Sequence, residues 1–454
     1  MGLPQDSGAT SWVGTANEPG NGFPLHWLPY CAFTAASGDI PMDGSAGEQE
    51  PQVEAHLGVG IGSFILDLHG LQQRGLLGDL PEEVQAACCA PQLNALMGCG
   101  PAAWAGLRAR LLDLLRRVEP SLRRDTGRQR MVASLMVSRR QAKFQKPVYT
   151  ENYTDFYASM QHATHVGRLF RPDRPLPPNY PWLPIGYHGR ASSLVVSGTP
   201  VRRPHGQYKA AAEGAPVFGA SERLDYELEL AAYVGVGNPL GTRVPIEEAS
   251  RRLFGLSLLN DWSARDIQSW EYHPLGPFLG KSFATSVSPW VVPMEALAPY
   301  RTGLKGRGAS DVAPLAYLAE PEGAQTGFDL TLEAYLSTSR MREQGLAPVR
   351  LSRSNLRDLY WSFAQMLTHH TSNGCNLKIG DILASGTVSG EELGAQGCLL
   401  EITQGGEMPL SLPSGETRRF LEDDDEVSLQ GYAEGEGLPR VCLGECRGRI
   451  LPAG

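Results

Sequence analysis

Three observations predict a mainly β protein with some helices, built as a small N-terminal accessory domain followed by a larger domain that carries the chemistry. The 454 residues include 52 glycines and 34 prolines, a balance that disfavours a helical bundle and suits short strands joined by turns. Apolar runs of four to eight residues recur between Gly/Pro/Ser/Asn clusters along most of the chain. Chemistry-bearing residues are sparse up to Lys146-Pro147-Val148-Tyr149 and dense after it, which sets the boundary between residues 1–147 and 148–454.

Residues 1–22 are rich in Gly, Ser, Pro and Asn and are expected to be loosely ordered. LPYCAF and GVGIGSFILDL then read as strands, separated by an exposed loop over residues 37–52. Helices are expected over residues 80–96, opened by Pro81 and broken near Pro91, and over residues 102–118. In the second, Leu107, Leu111, Leu114, Leu115 and Val118 form an apolar stripe opposite Arg108, Arg110, Arg116 and Arg117, which are read as a solvated face.

In the larger domain, YTDFYASMQHATHVGRLFR gathers Asp155, Tyr157, His162, His165 and Arg171, with Thr154 as a candidate helix cap. PLPPNYPWLPIGYHGRASS is expected to be a loop. LVVSGTPVRR, LDYELELAAYVGVG, FDLTLEAYLS, GDILASGTVSG, GCLLEITQ and DEVSLQGYAEG read as strands, with a helix over residues 354–369, and suggest a β-sandwich or rolled barrel.

The stretch NDWSARDIQSWEYHPLGPFLGKSFATSVSPW, residues 260–290, stands out. Asp261, Arg265, Gln268 and Tyr272 follow at steps of four, three and four, the spacing of neighbours on one helix face. Pro274, Gly276 and Pro277 then end the helix ahead of Lys281. A salt-bridged surface helix would show the same spacing. Upstream, Asp225, Glu227 and Glu229 alternate with Tyr226, Leu228 and Leu230, so a strand would carry three acids on one face. A wet strand face needs no partner, but LAAYVGVG runs on into the core, and acids entering a core call for a cation such as Mg2+ or Ca2+. Asp155 and Asp261 are the natural additional ligands. His162 is the leading general base, although a lone histidine is more often structural; His165, His188, His369 and His370 are read as structural. Spacing alone does not choose the carboxylate that would orient His162.

Other function classes are disfavoured. The net charge of −9 and the lack of a basic, aromatic-rich block argue against nucleic acid as a partner. Eight cysteines without paired C-x2-C spacing suit a reducing compartment, and the C-x3-C pair Cys442 and Cys446 reads as buried thiols. With no secretory pattern and no apolar stretch long enough to span a bilayer, a cytoplasmic location with no membrane partner is expected.

The strings TDFY, QHAT, PIGYHGRASS, LDYELE, NDWSARDIQSWEY, PLGPFLGKSF, THH, NGCNL, LASGTVSG and GCLLE, in that order, resemble the fumarylacetoacetase family within the wider fumarylacetoacetate hydrolase superfamily. The likeness runs from Leu28-Pro29-Tyr30 to the C-terminus. It implies a small SH3-like barrel followed by a larger β-roll, and a cytosolic homodimer that splits 4-fumarylacetoacetate into fumarate and acetoacetate at the end of tyrosine and phenylalanine catabolism. Carried onto this chain, the resemblance makes Asp155, Glu227, Glu229 and Asp261 ligands of Ca2+ or Mg2+, with Lys281 and Thr285 at a second, magnesium-type position. His162 matches the base that activates water and Glu401 its carboxylate partner. Arg265, Gln268 and Lys281 match the groups that stabilise a leaving carbanion, and Tyr157, Arg171, Tyr187, Gln268, Tyr272 and Thr387 match substrate contacts.

Ala284 departs from the resemblance, standing where SFGT is more usual. Two other readings remain: a superfamily relative that hydrolyses, decarboxylates or isomerises another oxo-acid, and a binding protein with a dead site. The second would be expected to have lost His162, Glu401 or an acid, and all are present.

Overall fold

A computed structural model describes residues 9–35, 54–117, 126–210, 214–308, 311–435 and 437–454. The expected loop at 37–52, residues 1–8 and Val118 lie outside the described residues. The chain forms two compact units: residues 1–149 with 289–299 and 435–441, and residues 150–288 with 300–434 and 442–454. The architecture is mainly β, with a smaller N-terminal and a larger C-terminal part.

In the smaller unit, LPYCAF becomes the strand Tyr30–Ala35, and GVGIGSFILDL contributes to His56–Ile61 and Phe64–Asp67. With Met136–Ser138 and Ala142–Gln145 they form a five-stranded antiparallel sheet. Its order puts Met136–Ser138 at one edge and Ala142–Gln145, beside Tyr30–Ala35, at the other. Flat, those edges would lie about 19 Å apart at the usual strand spacing. The link from Ser138 to Ala142 reaches at most about 14 Å, so the sheet must curl, as an SH3-like barrel does.

Where the sequence predicts helices over residues 80–96 and 102–118, the helices are Glu82–Ala87, Asn94–Gly98 and Gly100–Leu115, with Leu107, Leu111, Leu114 and Leu115 buried. Their arginines are not all solvated, as the charge pattern suggested. Arg116 and Arg117 are exposed, but Arg108 is buried and donates to the main-chain carbonyls of His26 and, at 3.3 Å, Trp27. Those acceptors precede Leu28, whose φ of 43° turns the chain sharply, and the guanidinium supplies donors to carbonyls in that turn. Nor are residues 9–22 loose: Ser11 is buried and its hydroxyl donates to Leu115 O at 2.8 Å.

In the larger unit, a mixed sheet runs in the order Gly186–Gly189, Tyr153–Phe156, Ile382–Ala384, Leu228–Val234, Leu253–Asp261, Thr285–Val287, Leu194–Val196. Every residue of Leu228–Val234 and Leu253–Asp261 is buried, and in the first the apolar run LAAYVGVG does enter the core as expected. A second sheet takes the order Val349–Asn355, Thr331–Ser337, Glu426–Gly435, Leu438–Leu451, Val201–Arg202, of which residues 435–441 are counted with the smaller unit.

Several local expectations change here. Thr154 does not cap a helix: it lies in the strand Tyr153–Phe156, with its hydroxyl 2.8 Å from His370 Nε2. The helix is Met160–Phe170, and Ser159 caps it by accepting the His162 N–H. GYHG, expected as loop, pairs with that strand and sets Tyr187 opposite Asp155. Residues 354–369 are not one helix. The strand Val349–Asn355 runs through Ser354, and Phe363–Thr371 starts at a capping box between Ser362 and Gln365. GCLLEITQ yields the short helix Leu399–Ile402 rather than a strand, because a distant carboxylate, Asp225, accepts the N–H groups of Leu399 and Leu400.

Candidate active site

Asp155, Glu227, Glu229 and Asp261 reach one point from three strands of the mixed sheet. Asp261 ends Leu253–Asp261, and Glu229 pairs with Leu259 of that strand. Glu227 immediately precedes Leu228–Val234, while Asp155 comes from Tyr153–Phe156. Asp261 therefore does not share a helix with Arg265; the helix is Arg265–Glu271, with Tyr272 at its C-terminal end. One oxygen from each of the four acids lies within 4.8 Å of the others, and all four residues are buried.

Their charges are unevenly answered. Lys281 Nζ donates to Glu227 and, at 2.8 Å, to Asp261 Oδ2, while Arg265 Nη1 lies 2.8 Å from Glu227 Oε1. Tyr187 donates its hydroxyl towards Asp155 Oδ2 at 3.0 Å and Asp261 Oδ2 at 2.9 Å, and Thr285 donates to Asp261 Oδ1 at 3.0 Å. Among the described residues, Glu229 has no hydrogen-bond partner on either oxygen, and Asp155 Oδ1 has none. Burial, then the negative charges of its neighbours, pushes the Glu229 carboxyl well above the usual range; burial and Asp261 do the same to Asp155. Burial also pushes Glu227 upward, but Lys281 and Arg265 outweigh it and hold the carboxyl below the usual range. Unpartnered carboxylate oxygens converging at one buried point are the donor set of a hard divalent cation, so the cluster could hold a metal.

A second constellation lies on Met160–Phe170 and Leu399–Ile402. His162 Nδ1 is 2.7 Å from Glu401 Oε2, and His165 Nδ1 is 2.8 Å from Glu401 Oε1. Ser389 Oγ donates to Oε2 at 2.8 Å, and Cys398 Sγ lies 3.2 Å from the same oxygen. Burial would raise the Glu401 carboxyl, but His162 and the donors on it hold it below the usual range, so Glu401 is an ionised acceptor. Both imidazoles must then carry their proton on Nδ1.

A cavity of about 440 Å³ joins the two constellations. Asp155, Tyr157, His162, Arg171, Tyr187, Glu227, Arg265, Gln268, Tyr272, Lys281 and Thr387 line it. Glu229, Asp261, Thr285 and Glu401 are not among the lining residues. Gln268 Oε1 accepts from Arg265 Nη1 at 3.3 Å, which leaves its NH2 as the remaining donor. The Tyr157 ring meets the His162 ring edge-on at 5.3 Å. Thr387 Oγ1 is buried at the wall with no hydrogen-bond partner among the described residues, held there by Gly386. Gly386 has φ 72°, and a Cβ on it would stand 2.0 Å from Phe156 O, so only glycine fits. Tyr187 lines the cavity, but its hydroxyl is already engaged by two acids.

Sequence reasoning missed His165, although its three-residue offset from His162 puts both on one helix face. It also grouped Asp225 with the other strand acids. Asp225 instead accepts from Arg265 Nε at 3.0 Å and from the N–H groups of Leu399 and Leu400, because the strand breaks at Tyr226-Glu227 and its side chain leaves the cluster. No local signal marks those backbone partners.

Family models describe the chain in two pieces: Fumarylacetoacetase N-terminal over residues 44–147, and Fumarylacetoacetate (FAA) hydrolase C-terminal over residues 151–450. Among curated relatives, fumarylacetoacetase of Homo sapiens is 45% identical over 432 residues, 95% of this chain and 96% of that protein. The Caenorhabditis elegans fumarylacetoacetase is 45% identical over 435 residues, 95% of this chain and 97% of the relative. That of Arabidopsis thaliana is 42% identical over 432 residues, again 95% and 96%.

Proposed function

The chain belongs to the fumarylacetoacetase family, and from that premise we propose that it hydrolyses the carbon–carbon bond of 4-fumarylacetoacetate to give fumarate and acetoacetate. The observation that carries this reading is one cavity lined by a carboxylate-held imidazole, the buried acids Asp155 and Glu227, and two fixed cations.

His162 donates Nδ1–H to Glu401, which leaves Nε2 to take a proton from water. Glu401 stays ionised and balances the imidazolium that forms. The resulting hydroxide adds to a carbonyl carbon, the bond to the neighbouring methylene breaks, and its electron pair passes to the enolate of acetoacetate, which then takes up a proton. Arg265, Lys281 and the Gln268 amide face that charge. Arg265 and Lys281 are pinned by Asp225, Glu227 and Asp261, so they need little reorganisation. Donors aimed at developing charge contribute roughly 3 kcal/mol each. Asp155, Glu227, Glu229 and Asp261 would hold a divalent cation, Ca2+ or Mg2+, which when bound polarises a β-dicarbonyl as a Lewis acid. Tyr157, Arg171, Tyr272 and Thr387 supply the polar contacts that orient substrate, with Tyr187 turned to the acids.

No helix among the described residues is long and apolar enough to cross a membrane. The same family reading makes the protein a cytoplasmic homodimer of tyrosine and phenylalanine catabolism. The test is loss of fumarylacetoacetate with and without a chelator. Turnover abolished by the chelator and restored by Ca2+ or Mg2+ is expected; no turnover under any metal condition overturns the reading.

A further inference from the structure

Glu401 is shared. Its side chain is fully buried and both of its oxygens are taken, but not equally. Oε2 meets His162, Ser389 and Cys398, whereas His165 is the one side chain found on Oε1 among the described residues. His162 and His165 are three apart on Met160–Phe170, so one helix face presents two Nδ1 atoms to the two oxygens of one carboxylate. The two imidazoles differ in access. His162 is 5% exposed at its side chain and lines the cavity; His165 is 24% exposed and does not.

We propose that His165 is a positioning residue for the His162–Glu401 pair: its Nδ1–H holds Oε1, so that Oε2 stays on His162 while His162 takes up and returns a proton. The inference rests on the hydrolase reading above. The last side-chain torsion of a glutamate is broad, so the plane of its carboxylate is set by the donors on its two oxygens. Ser389 and Cys398 act on Oε2 alongside His162, and His165 supplies the donor on Oε1. Without His165, Oε1 would be a buried, ionised oxygen with no partner, and the carboxylate would gain by turning towards another donor. His165 is not placed to be the base, because it does not line the cavity.

The chemistry selects the test. In asparagine the side-chain NH2 occupies nearly the place of histidine Nδ1, whereas leucine fills similar space with no donor. His165→Leu should lower kcat on the order of 10-fold, the scale of losing one hydrogen bond to a charged group, with KM little changed. His165→Asn should recover most of that loss. A second readout needs no substrate: the downfield proton resonances of carboxylate-bound imidazole N–H groups. The wild type should show two, from His162 and His165. His165→Asn should keep the His162 resonance in place, and His165→Leu should shift or broaden it. Equal kcat losses in both variants, or wild-type kcat with an unmoved His162 resonance in His165→Leu, would overturn the proposal. If the wild-type chain fails to hydrolyse fumarylacetoacetate, the functional reading falls, and the resonances still decide whether His165 holds Glu401.

Discussion

Asp225 and Arg265 form a fully buried ion pair, with carboxylate Oδ2 3.0 Å from Nε and 2.9 Å from Nη2. Burial raises the Asp225 carboxyl above its usual range even with the guanidinium pulling it down. Arg265 also meets Glu227 at 2.8 Å, so one cation serves two buried acids. Arg265→Ala should therefore cost stability as well as activity, about 3–5 kcal/mol, because it strands buried charge. Adding Asp225→Asn should return part of the stability and none of kcat. Denaturant unfolding and steady-state kinetics on the two variants measure both effects. Loss of activity at unchanged stability would contradict the structural half of this account.

Glu229 has the opposite problem, a buried carboxylate with no hydrogen-bond partner among the described residues. Removing its charge relieves repulsion in the metal-free protein but takes a ligand from the cluster. Glu229→Gln is thus expected to raise Tm in the presence of chelator and to shrink the rise in Tm on adding Ca2+ or Mg2+. An ion at a hundred times its Kd stabilises by about 2.7 kcal/mol, an effect thermal melts resolve readily. An unchanged metal-induced shift in the variant would remove Glu229 from the ligand set.

His162 and Glu401 lie 239 positions apart in the chain and 2.7 Å apart in space. Groups that act as one unit lose activity once. His162→Ala should abolish most turnover, and adding Glu401→Gln to it should cost little more. Independent losses that multiply in the double variant would mean that Glu401 acts on something other than the imidazole.

His26 offers a pH test away from the site. Burial, then the nearby Arg108 charge, lowers its pKa from 6.5 to about 4. The folded state thus disfavours the imidazolium, and between those values the unfolded chain binds more protons. Stability is complete above pH 6.5 and falls as pH drops towards 4, by at most about 3 kcal/mol from this group. His26→Asn should flatten that part of the stability–pH curve. Parallel curves for variant and wild type from pH 7 to pH 4 would rule the effect out.

What could be read from the sequence was what neighbours in the chain decide. LPYCAF, GVGIGSFILDL and LDYELELAAYVGVG carry their strand character in their own alternation and bounding glycines, and all yield strands. The alternation that sets Glu227 and Glu229 two apart is also the local trace of the acid cluster that the folded chain assembles with Asp155 and Asp261. Illegible were the places where a remote partner settles the matter. GCLLEITQ has the apolar pattern of a strand and becomes a helix because Asp225 caps it. Thr154 has the chemistry of a cap, and it is strand pairing to Ile382–Ala384 that takes it out of that role. Arg108 is buried by carbonyls some eighty residues earlier, which no helical wheel displays.

The helix that presents Glu401 is only four residues long, far below the length at which a helix persists on its own. Its leading N–H groups are answered by a carboxylate 174 positions earlier, on the other side of two strand pairings. The general-base pair cannot be in place, then, while the chain is still assembling its long-range contacts. During refolding, recovery of turnover should lag behind recovery of the far-ultraviolet signal of secondary structure. A partly folded intermediate of this protein, however compact, would be catalytically silent.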